Sequence, residues 1–175
     1  MVRNQSRKTY WNHIAKLANS KSELEKVNEQ IQYYASLGVS DYFLNYNVKK
    51  DTKKINQIRP VLEKKGFALK DETSGIKGQA VLHISWKNAT EDYAKTVYLV
   101  SDFHYKMRKL QEKLYPKIEK VAGTGEYSIQ YDLTTAGIGE LNEELLAEIK
   151  EYLENLNEFS SVSIIDKALI LEWRI

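Results

Sequence analysis

Histidines, clustered glutamates, glycine-bearing loops and lysine runs are the residues of this chain whose types and spacing could do chemistry. The three histidines, His13, His83 and His104, fall on a helix, a strand and a helix start, and no local spacing brings two of them to one metal. His83 alternates with Leu82 and Ile84, which places it on the polar side of its strand. Glu140, Glu143, Glu144, Glu148, Glu151 and Glu154 share one helical segment, where their spacing makes a solvated acidic face opposite a leucine stripe, not a paired acid and base. Residues 122–126 (AGTGE) and 136–140 (AGIGE) offer backbone N–H groups of the kind that hold anions. Neither fits a dinucleotide or Walker fingerprint, because the first closes a helix and the second runs into glutamates. The second is the candidate for a small anion, if any loop is. With no cysteine there is no disulfide, thiolate nucleophile or cysteine zinc site, and no nucleophile elbow, HExxH or EF-hand pattern occurs. The expectation is a non-enzyme that uses no cofactor, metal or small-molecule ligand.

Cations suggest contacts instead. Arg3, Arg7, Lys8, Lys16 and Lys21 occupy the first 22 residues without an acid, and Tyr10, Trp11, Ile14 and Leu17 recur there at helical spacing. Residues 1–21 therefore read as a basic arm with a short amphipathic helix, in which Arg3, Arg7, Lys8 and Trp11 make an external protein contact. Lys49, Lys50, Lys53 and Lys54 form a second cluster, suited to phosphate or to an acidic partner. Tyr42, Tyr46, Tyr127 and Tyr131 lie on one parity of their strands and read as core, because the opposite parity of the second strand, Ser128, Gln130 and Asp132, carries neither stacking rings nor positive charge.

The elements that position these residues follow from periodicity and punctuation. Ser22 with Glu25 has the form of a capping box, and Leu24, Val27, Ile31, Tyr34 and Leu37 are the stripe of the helix that follows, ending at Gly38. Residues 42–46 alternate as a strand. Asp51 or Thr52 then caps a helix carrying Ile55, Ile58, Val61 and Leu62, in which Pro60 forces a kink or a later start. Residues 67–71 and 79–86 form a hairpin across Ser74-Gly75, and residues 96–100 offer a further strand. A long helix from about Asp102 uses Met107, Leu110, Leu114, Ile118 and Val121 and stops at Gly123 and Gly125; a strand at 126–132, a helix on Leu141, Leu145, Ile149, Tyr152 and Leu156, and a hairpin of residues 162–165 and 168–173 complete the chain.

That order is written twice. Residues 40–48 (SDYFLNYNV) match 125–133 (GEYSIQYDL) at a shift of 85, with Tyr42 over Tyr127, Tyr46 over Tyr131 and Gly38 over Gly123; residues 81–86 (VLHISW) match 168–173 (ALILEW) at a shift of 87. Each copy is helix, strand, helix, strand, strand. The expected fold is α+β: two tandem copies forming two-layer mixed-sheet sandwiches, with a first repeat at 22–100, a second at 101–175 and an extra N-terminal helix. Each copy alone has a marginal core, so the halves are expected to act as one cooperative body.

The bulk numbers narrow the class. The chain has 175 residues, 42% of them hydrophobic and 29% charged, and no apolar run of bilayer length or signal-type N-terminus. The reading is a cytoplasmic protein with no membrane contact. Its net charge of +2 conceals a polarity. Residues 1–87 hold 16 Lys and Arg against 8 Asp and Glu, a net of +8, and residues 88–175 hold 10 against 16, a net of −6. Such ends attract each other or two different partners.

Each half resembles a small module of tailed-bacteriophage proteins: a helix, a glycine, a Tyr-rich strand, a helix ending in Leu-x-x-x-Gly-Phe/Tyr, and a last strand ending in Ile-x-Trp. Here the first copy has Gly38, residues 42–48, Leu62 through Gly66-Phe67, and Ile84-Ser85-Trp86. The second departs, with residues 155–159 (NLNEF) in place of Lys-Gly-Phe and Leu171-Glu172-Trp173 at its end. These are packing motifs and bring no catalytic residues. The resemblance implies a viral protein, a virion component or a binder or inhibitor of a host protein, working by protein contact or self-association as an oligomer in the host cytoplasm or the particle. The alternative is a nucleic-acid-binding accessory protein that uses the basic N-terminal half.

Overall fold

The structure, a computed structural model, describes residues 22–173. The chain divides into two compact units, one ending at Ser101 and the other running from Asp102. Both are helix-plus-strand, so the α+β class holds.

In the first unit, helix α1 (Glu23–Ser36) starts at the expected capping box: Glu25 N donates to Ser22 Oγ at 3.3 Å while Ser22 N donates to the Glu25 carboxylate at 2.6 Å. Val27, Ile31 and Ala35 are its buried stripe. Leu37, expected in that stripe, is exposed, because it is the C-cap and the small Ala35 takes the inward position. Strand β1 (Asp41–Asn47) passes directly into α2 (Val48–Lys64). The cap of α2 is Asn47, not Asp51 or Thr52: its side chain accepts from Lys49 N and Lys50 N, and Asp51 instead accepts from Asn47 N at 3.0 Å. The helix thus begins early and continues through Pro60, an exposed position where solvent reaches the carbonyl that proline leaves unbonded.

Strands β2 (Ala68–Thr73) and β3 (Gln79–Ser85) form the expected hairpin, but the sheet is not mixed. Its order is β1-β3-β2, every pair antiparallel. The crossover through α2 does make β1 and β2 run the same way. The returning strand β3 then inserts between them, a split β-α-β arrangement in which no parallel pair touches. Leu82 and Ile84 on this central strand are fully buried. They pack with the stripes of α1 and α2, Phe67 and Trp86 in the first core.

The expected strand at 96–100 is helix. It belongs to α3 (Asp92–Ala122), whose first turns bury Ala94, Val97 and Ser101 at spacings of three and four while Thr96, Leu99 and Val100 stay exposed. Burial at helical period overrides the β-branched composition of that stretch.

The second unit repeats the plan. The later turns of α3 bury Met107, Leu110 and Leu114. Strand β4 (Ser128–Asp132), a 3-10 turn (Leu133–Ala136), helix α4 (Glu143–Asn155), β5 (Ser161–Ile165) and β6 (Ala168–Glu172) follow, in the sheet order β4-β6-β5, again wholly antiparallel. Asn142 caps α4, whose buried positions are Leu145, Ile149 and Leu153; Leu141, Tyr152 and Leu156 are only partly covered. Asp166 and Lys167 at φ 48° and 66° make the two-residue turn that suits hairpin twist.

The duplication has one register in the sheets. Asp41 opposes Ser85 as Ser128 opposes Glu172, Trp86 N donates to Ser40 O as Trp173 N does to Tyr127 O (both 3.1 Å), and Gly38 N donates to Ala35 O as Gly125 N does to Ala122 O (both 2.9 Å). Every pair is 87 apart. The shift of 85 that superposed the tyrosines is therefore corrected: Tyr127 occupies the place of Ser40, before its strand, and is 57% exposed. Tyr131 is buried, and Tyr42 and Tyr46 are half-buried against their core, as expected.

Candidate binding surfaces

The helices cover one face of each sheet, and the other face of the first sheet carries the polar residues of interest. Phe43 and His83 are direct cross-strand partners there, stacked with ring centroids 4.4 Å apart and planes 10° from parallel. His83 Nε2 donates to Asp41 Oδ1 at 2.8 Å, and Nδ1 stands 3.5 Å from Glu72 Oε1, which also takes Lys70 Nζ at 3.3 Å. The result is a half-exposed aromatic, Phe43 at 49%, on an edge strand and stacked on a histidine that contacts carboxylates of both flanking strands.

Sequence reasoning placed His83 on the polar side but missed its neighbours. Asp41 and Glu72 lie on the two edge strands and both reach His83 only because β3 is central; a mixed sheet with β1 beside β2 would have moved His83 away from Asp41. The equivalent of His83 in the second unit is Ile170, so the constellation occurs once.

The lysine cluster sits on the exposed start of α2. Lys49 and Lys50 lend their backbone N–H groups to the Asn47 cap, Lys54 Nζ lies 3.8 Å from Asp51, and at 3.6 residues per turn the four positions spread over about 140° of one side of the helix. Lys54 also borders a groove of about 520 Å³ between α1 and α2, lined further by Leu24, Ile58 and Val61. Arg3, Arg7, Lys8 and Trp11, like His13, lie outside the described residues. No family model, no curated protein and no solved structure matches the chain.

His104 makes edge-to-face contacts with Phe103 and Tyr152, and among the described residues no group of three His, Asp or Glu side chains is placed to hold a metal. AGTGE ends α3, with Gly125 at φ 86°. AGIGE follows the 3-10 turn, with Gly137 and Gly139 at φ 70° and 90° and Ile138 buried between them. Asp132 caps that turn; the side-chain and backbone hydrogen bonds from Thr134 hold its carboxyl below the usual range.

The most displaced titration is that of Tyr115 on α3. Burial first, and then its 2.8 Å hydrogen bond to Glu158, push the phenol up to about 12 from 10.0. Folding raises this pKa, so the stability it contributes is complete below 10 and is lost as pH climbs through 12. In an ultraviolet difference titration, Glu158→Gln is expected to bring the Tyr115 transition down toward 10 without reaching it, because burial remains. A transition unmoved by the substitution would remove Glu158 from the account.

Proposed function

We propose that this chain is a non-enzymatic protein-interaction protein of phage origin, a virion component or a binder of a host protein, working through the open face of its first sheet. The observation that carries the reading is the Phe43–His83 stack: a half-exposed aromatic on an edge strand, seated against a histidine that is flanked by Asp41 and Glu72, has the make-up of a contact hot spot beside a polar rim. Phage origin rests on the packing motifs shared with the tailed-phage module. The occupant that the charges fit is a second copy of the chain, since the first unit carries 17 Lys and Arg against 10 Asp and Glu, a net of +7, and the second 9 against 14, a net of −5.

Light-scattering chromatography tests this. The expected result is a defined oligomer that Phe43→Ser reduces to monomer, with circular dichroism unchanged because the residue faces outward. Stoichiometric co-elution of a foreign protein from the native lysate, abolished by the same variant, would select the host-binding branch. A wild-type monomer with no such companion would overturn the reading.

A further inference from the structure

The cations of the second unit form a line that the preceding reading does not use. Lys106, Lys109, Lys113, Lys117 and Lys120 recur on α3 at intervals of three, four, four and three. At 3.6 residues per turn they share a sector of about 80° and a length of about 21 Å, with Glu112 and Glu119 roughly 100° away around the helix. The unit's net charge of −5 conceals this line because the acids concentrate on α4.

The lysines are positioned without being neutralised. Lys106 pairs with Asp102 at 2.7 Å, but Lys109, Lys113, Lys117 and Lys120 have no carboxylate within 4.0 Å among the described residues. Lys113 Nζ donates to Thr135 O at 2.9 Å, beside Gly137, where an added Cβ would come within 3.3 Å of the ammonium. Lys117 Nζ lies 4.6 Å over the Tyr131 ring and Lys109 Nζ 4.8 Å over Tyr105. A carbonyl or a ring orients an ammonium and leaves its charge intact. Like charges three and four residues apart cost a helix about 0.2–0.5 kcal/mol per pair, and Asp102 beside Lys106 and the attraction between Asp132 and Lys117 relieve a part of that cost at two of the five positions. Lys113, Lys117 and Lys120 are exposed.

We propose that this lysine line is a docking surface for the phosphodiester backbone of a nucleic acid, bound without regard to sequence. One strand presents a phosphate about every 3.4 Å of axis, so a line of about 21 Å meets roughly six. Ammonium groups act as point charges on phosphate and lack the forked geometry that reads base edges. A membrane surface fits less well, because the apolar stripe of α3 is buried in the second core and leaves no face for the acyl boundary.

The test is fluorescence anisotropy of the full chain with labelled oligonucleotides of about twenty nucleotides, single-stranded and duplex, from about 50 to 200 mM salt. Four neutralised phosphates predict a log–log slope near −3.6 on duplex, a loss of about 100-fold across that range. Lys117→Gln should flatten the slope by about one unit, and the triple change Lys113→Glu, Lys117→Glu, Lys120→Glu should abolish binding, while the corresponding triple arginine variant retains it. Three results would each overturn the proposal: no salt-dependent binding; binding lost on Lys49→Glu and Lys50→Glu but not on the α3 triple; or binding of the line to anionic phosphatidylserine vesicles and not to oligonucleotides. A salt-sensitive oligomer abolished by the α3 triple, without oligonucleotide binding, would assign the line to a second copy and would also overturn it. Because the Phe43→Ser and α3 variants alter different units, failure here leaves the sheet-face reading standing, and the converse.

Discussion

Replacement of Trp86 by alanine is expected to remove about 3–5 kcal/mol of stability, read as a shift in the urea midpoint at constant slope. The indole is 1% exposed, sits at the end of the central strand and meets Phe67 edge to face at 6.2 Å and 89°. Nothing nearby is built to refill its volume, since Leu82, Ile84 and Leu62 are already fully buried around the same core. Trp86→Phe should fall within about 1 kcal/mol of the unaltered protein, because the indole Nε1 is buried without a hydrogen-bond partner among the described residues and its removal relieves a penalty of about 1–3 kcal/mol. Trp173, the counterpart 87 residues on, is only partly covered, and its alanine variant should cost less than about 3 kcal/mol. Equal costs at the two tryptophans would contradict the difference in burial between the two copies.

The sequence made the order of elements legible because each boundary has a local chemical cause. Ser22 and Glu25 satisfy two donors at the start of α1, Gly38 and Gly125 take positive φ at equivalent helix ends, and Asp166-Lys167 closes a hairpin. What could not be read locally was pairing. Alternation along residues 79–85 says which side chains share a face, yet it is the same whether the strand lies at an edge or in the centre. The mixed-sheet expectation failed at that point, and the Asp41, His83 and Glu72 grouping was lost with it. The tyrosine alignment failed for a related reason. A slip of two residues preserves strand parity, so Tyr127 over Tyr42 keeps every face correct while moving one ring off the end of the strand. Stretch 96–100 shows the opposite error, in which β-branched composition outweighed the spacing of Ala94, Val97 and Ser101. The lysine line needed no structure to be noticed, since its three-and-four spacing is in the sequence. The net charge of the second unit hides it, and the apolar residues of α3 carry the stronger periodic signal.

Ile84→Ala and Leu171→Ala test the corrected topology and the corrected duplication together. The two positions are 87 apart, each lies on the central strand of its sheet, and both are fully buried, Ile84 between Tyr42 and Leu69 and Leu171 between Ile129 and Val162 in the registers. Each substitution should cost about 2–5 kcal/mol, the range for large-to-small changes at sites that cannot collapse. On the adjacent residue the side chain turns to the opposite face, and Ile170→Ala should cost less than about 1.5 kcal/mol, since that position is only partly covered. An edge placement of the last strand would give a different pattern: Ile84 and Leu171 would lose one flanking strand, and their alanine variants would fall toward the cost of Ile170→Ala. Paired losses at positions 84 and 171 with a small loss at 170, measured by urea unfolding, are therefore the result that only a central strand in each copy, aligned at 87, produces.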